Sequence, residues 1–212
     1  TASPKGNRSG ERFVGQGGTG NQSYGYNAGG GTPMSSIMDR IDYANDTATA
    51  ATKGPLSAQR NVAGAISPRD YATPTALSKT VDKGSDGYQT SISGPNTGYW
   101  AGGGYGSVVD RVDFSNDTAT ASARGNLSVS TRSGLGNGGS TPSYGYAFAG
   151  SPGPKSSVDR IDYSNDSATA SPKGPLSYAR SQHSTITNTN HGYTGGGWPG
   201  PYSTIDRLDY AN

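Results

Sequence analysis

Asp159-Arg160-Ile161-Asp162-Tyr163-Ser164-Asn165-Asp166-Ser167-Ala168-Thr169-Ala170 is one copy of a phrase that returns along the chain. The other copies are Asp39-Arg40-Ile41-Asp42-Tyr43, Asp110-Arg111-Val112-Asp113-Phe114 and Asp206-Arg207-Leu208-Asp209-Tyr210. The first two run on into Asn45 to Ala50 and Asn116 to Ala121; the last runs to Asn212, where the sequence stops. Successive copies begin 71, 49 and 47 residues apart. A repeat of this length is one supersecondary unit that must stack on its neighbours to bury its faces, and it matches the period of propeller blades.

Upstream of each phrase lies a glycine-aromatic segment: Gly25-Tyr26, Gly98-Tyr99, Gly145-Tyr146 and Gly192-Tyr193, each followed within a few residues by further glycines. Downstream lies a turn segment. It is Lys53-Gly54-Pro55-Leu56-Ser57 to Arg60, then Arg124-Gly125-Asn126-Leu127-Ser128 to Arg132, then Lys173-Gly174-Pro175-Leu176-Ser177 to Arg180. The long first interval places an insertion at about 61–87. The repeats fall at about 23–60, 96–132, 143–180 and 190–212 within a single domain, 1–212.

The phrase alternates Ile, Val or Leu with Tyr or Phe at every second position, which is the period of a strand. Asn-Asp after it suits a tight turn, because both side chains cap local amides and tolerate left-handed backbone. Thr-Ala-Thr-Ala then reads as a second strand, and no stretch has a helical period. The expected fold is therefore all-β: a β-propeller of four blades. Thr1-Ala2-Ser3-Pro4-Lys5-Gly6 repeats Thr169 to Gly174 letter for letter. That match predicts closure of the ring, with 1–8 completing the last blade; the alternative is a slice cut from a longer array.

Composition bounds what such a ring can do. The 212 residues include 34 glycines and 13 prolines, with 30% hydrophobic residues. Mean hydropathy is −0.70. Composition alone would also suit a disordered chain, and it is the ordered repeat that argues otherwise. Net charge is +2, with both signs scattered. No Lys/Arg run is long enough to track a phosphate backbone, so nucleic acid is not an expected partner. No apolar run approaches the roughly 20 residues of a membrane-spanning helix, so no membrane insertion is expected. There is no cysteine, which removes disulfides, thiol nucleophiles and thiolate metal sites.

Glycine pairs, an Ile-Asp-Tyr hairpin and a Pro-Leu-Ser-x-x-Arg turn, in that order, resemble kelch repeats across all four units. The chain departs from that family in lacking the tryptophan usual after the hairpin; Ala or Thr stands there. The fuller phrase, Gly-Tyr-x-x-Gly-Gly followed by Val-Asp-Arg-Ile-Asp-Tyr-Ser-Asn-Asp, resembles repeat proteins of marine and cyanobacterial tailed phages. That resemblance implies a virion or fibre protein, located on a virion or extracellular appendage. Some kelch propellers carry copper-radical oxidation, but its Cys and His ligands are not available here.

Four copies of Asp-Arg-x-Asp argue against one active site. Asp39, Arg40, Asp110, Arg111, Asp159, Arg160, Asp206 and Arg207 are expected to form ion pairs linking neighbouring blades, since Arg satisfies carboxylates bidentately. Asp162, Asn165 and Asp166 are oxygen donors of the kind calcium favours, but their spacing fits a turn and no EF-hand loop. His183 and His191 are the only histidines, and no third ligand accompanies them. No metal, cofactor or catalytic residue is therefore assigned. Trp100, Tyr105, Trp198 and Tyr202 lie in or just after the glycine segments. They either stack on a ligand such as a sugar or pack between blades. Within the insertion, Arg69, Tyr71, Lys79 and Lys83 are the candidate partner contacts, because loops that depart from a repeated frame tend to carry function.

The reading is a non-catalytic binding or structural propeller. Its expected partners are other virion or appendage proteins, further copies of the chain, or a host-surface glycan. The alternatives are a purely structural assembly subunit and, less favoured, a secreted kelch-type enzyme.

Overall fold

The computed structural model describes residues 2–12, 16–31, 33–61, 64–68, 96–104, 106–129, 135 and 138–212. The fold is all-β, four antiparallel sheets arranged as a four-blade β-propeller. Blade 1 is β1 (Gly17–Gly20), β2 (Tyr24–Ala28), β3 (Met38–Asp42) and β4 (Ala51–Lys53). Blade 2 is β5 (Gly64–Ile66), β6 (Thr97–Ala101), β7 (Val108–Asp113) and β8 (Ser122–Asn126). Blade 3 is β9 (Gly139–Ser140), β10 (Tyr144–Gly150), β11 (Lys155–Asp162) and β12 (Ser171–Lys173). Blade 4 is β13 (Ser184–Thr187), β14 (His191–Gly195) and β15 (Ile205–Asp209).

The glycine-aromatic segment and the Asp-Arg phrase form the central hairpin of every blade. Tyr26 pairs with Arg40, Tyr99 with Arg111, Tyr146 with Arg160 and Tyr193 with Arg207. Asp39, Asp110, Asp159 and Asp206 point to the opposite side of the sheet from these arginines, by strand alternation. Each blade thus has a backward face, turned to the preceding blade, and a forward face, turned to the next.

The core lies between blades. Tyr26, Ala28 and Met38 of blade 1 pack against Ala65, Trp100, Val112 and Phe114 of blade 2. Ile66, Tyr99 and Val109 of blade 2 pack against Ala147, Ile161 and Tyr163 of blade 3. Tyr146, Phe148 and Val158 of blade 3 meet Leu208 and Tyr210 of blade 4. Each junction carries one ring stack: Tyr26 on Phe114 at 4.3 Å, Tyr99 on Tyr163 at 5.0 Å and Tyr146 on Tyr210 at 4.4 Å between centroids. The glycine of the aromatic segment makes room for the second ring. A Cβ on Gly145 would lie 2.7 Å from the Tyr163 hydroxyl.

The tight turn expected after the phrase is a 3-10 turn, Tyr43–Asn45, Phe114–Asn116 and Tyr163–Asn165, where Asp42, Asp113 and Asp162 accept from the amides of Ala44, Ser115 and Ser164. Two expectations need correction. Thr-Ala-Thr-Ala is not the outer strand, which begins after it at Ala51, Ser122 and Ser171. Its last amide is taken by the preceding segment instead: Ala50 N donates to Asn7 O, Ala121 N to Pro55 O and Ala170 N to Asn126 O. Finally, among the described residues β15 has only β14 as a neighbour, and 2–6 pairs with no strand. The N-terminal segment lies on blade 1 instead, with Gly6 N donating to Asp46 O at 2.7 Å. The expected terminal-strand closure is absent from this structure.

The insertion is also relocated. Gly64–Ile66 is the innermost strand of blade 2, so the extra residues fall between β5 and β6. Arg69, Tyr71, Lys79 and Lys83 lie outside the described residues.

Candidate functional site: an aromatic platform held by a blade clamp

Every blade boundary is built by the turn segment that precedes it. The backbone of Arg60 belongs to blade 1, where its amide donates to Ser35 O and its carbonyl accepts from Gly30 N. Its side chain enters blade 2, pairing with Asp110 at 2.9 Å and donating to the Gly102 and Val108 carbonyls, both at 2.9 Å. Ser57 N donates to the same carboxylate at 3.1 Å. Arg180 repeats this on blade 4, with Asp206 at 2.8 Å and the Gly196 and Thr204 carbonyls. Arg12 and Ser9 hold Asp39 in the same way, and Ser128 holds Asp159. Asp39, Asp110 and Asp159 are fully buried, so each negative charge needs this full set of donors to offset its desolvation. Asn7-Arg8-Ser9-Gly10-Glu11-Arg12 is therefore a fourth turn segment. The sequence signal for it was Lys5-Gly6 followed by Ser-x-x-Arg, although Arg8 replaces the leucine of the other copies.

The arginine of the phrase works on the forward face. Asp117 of blade 2 receives the Tyr26 hydroxyl at 2.9 Å, Arg40 at 2.8 Å and Lys53 at 3.2 Å, all from blade 1. Burial opposes ionisation of Asp117, but the Tyr26 hydroxyl and Lys53 outweigh it and hold the carboxyl below its ordinary value. Asp166 of blade 3 receives the Tyr99 hydroxyl at 3.0 Å, Arg111 at 2.8 Å and Arg124 at 3.6 Å. Burial and then the Asp166 charge push the Tyr99 phenol up to about 12. The expected ion pair is missing at Arg160, which lies over the Tyr144 ring at 4.3 Å, and at the exposed Arg207; no carboxylate meets either among the described residues.

The candidate aromatics divide sharply. Trp100 is fully buried and its indole donates to Gly17 O of blade 1 at 3.1 Å. It is a packing anchor between blades, and the ligand-stacking reading of it is withdrawn. Tyr105 lies outside the described residues. Trp198, on the loop between β14 and β15, is 56% exposed. Tyr202 ends the same loop and stacks on Tyr178 at 5.4 Å between centroids. Tyr178 is 50% exposed, and sequence reasoning passed over it. The available signal was its place in the turn segment, where the other copies carry Ala58 and Val129. The Arg180 guanidinium lies 5.4 Å from the Tyr202 centroid. The buried clamp thus reaches Tyr202, whose ring stacks on the exposed Tyr178.

A groove of about 570 Å³ opens where blades 3 and 4 meet, lined by Tyr144, His191, Asp209 and Tyr210 among others. His191 Nε2 stands 4.0 Å from Asp209, while His183 is buried before β13. No group of three metal-ligating side chains occurs among the described residues. Among the described residues no helix is long and apolar enough to cross a membrane. No protein-family profile matches the chain, and no curated protein is significantly similar to it.

Proposed function

We propose that this protein is a non-catalytic, kelch-like propeller of a virion or similar extracellular appendage. Its Tyr178–Trp198–Tyr202 surface contacts a host-surface glycan or another appendage protein. The observation that carries the binding reading is the placement of these aromatics. All three depart from the repeated frame, two are half exposed, and a buried arginine orders the third. Rigid aromatic side chains offer large contact area at small entropic cost, and they stack on sugar faces as readily as they anchor protein partners. The kelch and virion parts of the proposal are supported by the resemblance of the repeat phrase.

The two tryptophans make the test simple, since one is buried and the other exposed. Wild-type protein should bind a subset of a glycan array or purified appendage proteins, and the bound ligand should protect Trp198 from acrylamide quenching. Trp198→Ala and Tyr178→Ala should weaken binding at least tenfold while leaving the melting temperature unchanged. Undiminished binding by both variants would remove the platform from the proposal.

A further inference from the structure

The blade junction described above occurs three times within the chain, and both of its halves are also left over. The unused backward face belongs to blade 1. There Tyr43 is 53% exposed, whereas its counterpart Phe114 is buried under Tyr26. Ile41 is exposed, whereas Val112 and Ile161 are buried. Asp46 holds only Lys5, at 3.3 Å, where Asp117 and Asp166 each gather a tyrosine and two cations.

The unused forward face belongs to blade 4. Ile205 is 71% exposed, although its counterparts Met38, Val109 and Val158 are sealed in junctions. Ile186 is 73% exposed, and its counterpart Ile66 is buried. Tyr193 and Arg207 pair across the hairpin as Tyr26 and Arg40 do, yet they have no carboxylate to serve among the described residues. The outer edge of β15 is unpaired. Ser3-Pro4-Lys5 repeats Ser171-Pro172-Lys173, the strand that pairs with Arg160, Asp159 and Val158 in blade 3.

The two faces are thus complementary in apolar area, ring stacking, charge and strand edge, and the chain does not bring them together. We infer that copies of this chain join head to tail, blade 4 of one on blade 1 of the next. In this junction Tyr193 stacks on the second copy's Tyr43, and Arg207 joins the second copy's Lys5 on its Asp46. The second copy's segment 3–5 adds to β15 as a fourth strand. Such a contact is heterologous, so it propagates into arrays or rings rather than stopping at a symmetric dimer. It is independent of the aromatic platform, and Trp198→Ala should leave it intact.

Light scattering over a concentration series tests this. Wild type should rise in mass above the 21.6 kDa monomer. Tyr43→Arg spoils only the blade 1 face and Ile205→Arg only the blade 4 face, so each alone should stay monomeric. Mixed in equal amounts, they should double in mass and stop there, because one good face remains on each. Both positions are exposed, so folding should survive; circular dichroism checks it. If either variant unfolds, Asp46→Asn and Arg207→Gln replace the pair, and each should shift wild-type assembly to higher concentration. A wild type that stays monomeric throughout, or a mixture of folded variants that never exceeds monomer mass, overturns the inference.

Discussion

At the scale of single residues, the two charges of the Asp-Arg phrase do unlike work despite standing next to each other. Asp110 is buried and clamped by the arginine that precedes it in the chain, while Arg111 reaches forward to Asp166. Removing one member of a buried, fully hydrogen-bonded pair leaves the other uncompensated, at a cost of about 3–5 kcal/mol. Arg60→Ala should therefore lower stability by that amount in urea unfolding. Arg207→Ala, at an exposed and unpaired arginine, should change it by no more than about 0.5 kcal/mol at concentrations where the chain is monomeric. The tyrosines that serve the forward carboxylates add a pH dependence. The Tyr99 phenol is pushed up to about 12 by burial and by Asp166, above its ordinary value. The folded state thus keeps a proton that the unfolded chain releases. That contribution is complete below about pH 10, where an unfolded tyrosine is still protonated, and is lost as pH rises through the folded value. Tyr99→Phe should flatten the fall in stability between pH 10 and 12, measured by denaturant titration at several pH values.

At the scale of elements, the hairpin and its turn were readable and the segment after the turn was not. Alternation in Asp-Arg-Ile-Asp-Tyr and the glycine before each aromatic are local signals, and the strands stand where those signals lie. Thr-Ala-Thr-Ala alternates just as well, yet it is no strand. Its last amide is claimed by a neighbouring segment, and nothing local records that claim. The glycine of the turn segment makes the docking possible. A Cβ on Gly54 would overlap the Ala119 carbonyl oxygen, and one on Gly125 the Ala168 carbonyl oxygen, whereas one on Gly174 meets nothing. Gly54→Ala should accordingly cost about 1–3 kcal/mol through forced displacement of backbone, and Gly174→Ala should be close to neutral. Thermal unfolding of the two variants side by side checks the contrast.

At the scale of the whole molecule, the number of blades and their order were legible because repetition is a global property of the sequence. The platform was half legible. Trp198 and Tyr202 stand out beside glycines, but so does Trp100, and only packing separates the exposed ring from the buried one. Ring closure was inferred from matching ends, and matching letters specify a compatible interface without saying which copy supplies each half.

The clamp also bears on synthesis. Arg12, Arg60 and Arg180 are each made before the aspartate they will hold, 27 residues earlier for Arg12 and Asp39 and 26 for Arg180 and Asp206. As the chain emerges, the hairpins of blades 2 and 4 therefore meet a guanidinium and a serine already presented by the blade before them. Loop-closure entropy stays small at each step. Assembly can proceed from the N-terminus like a zip, with no blade waiting for a distant one to be translated.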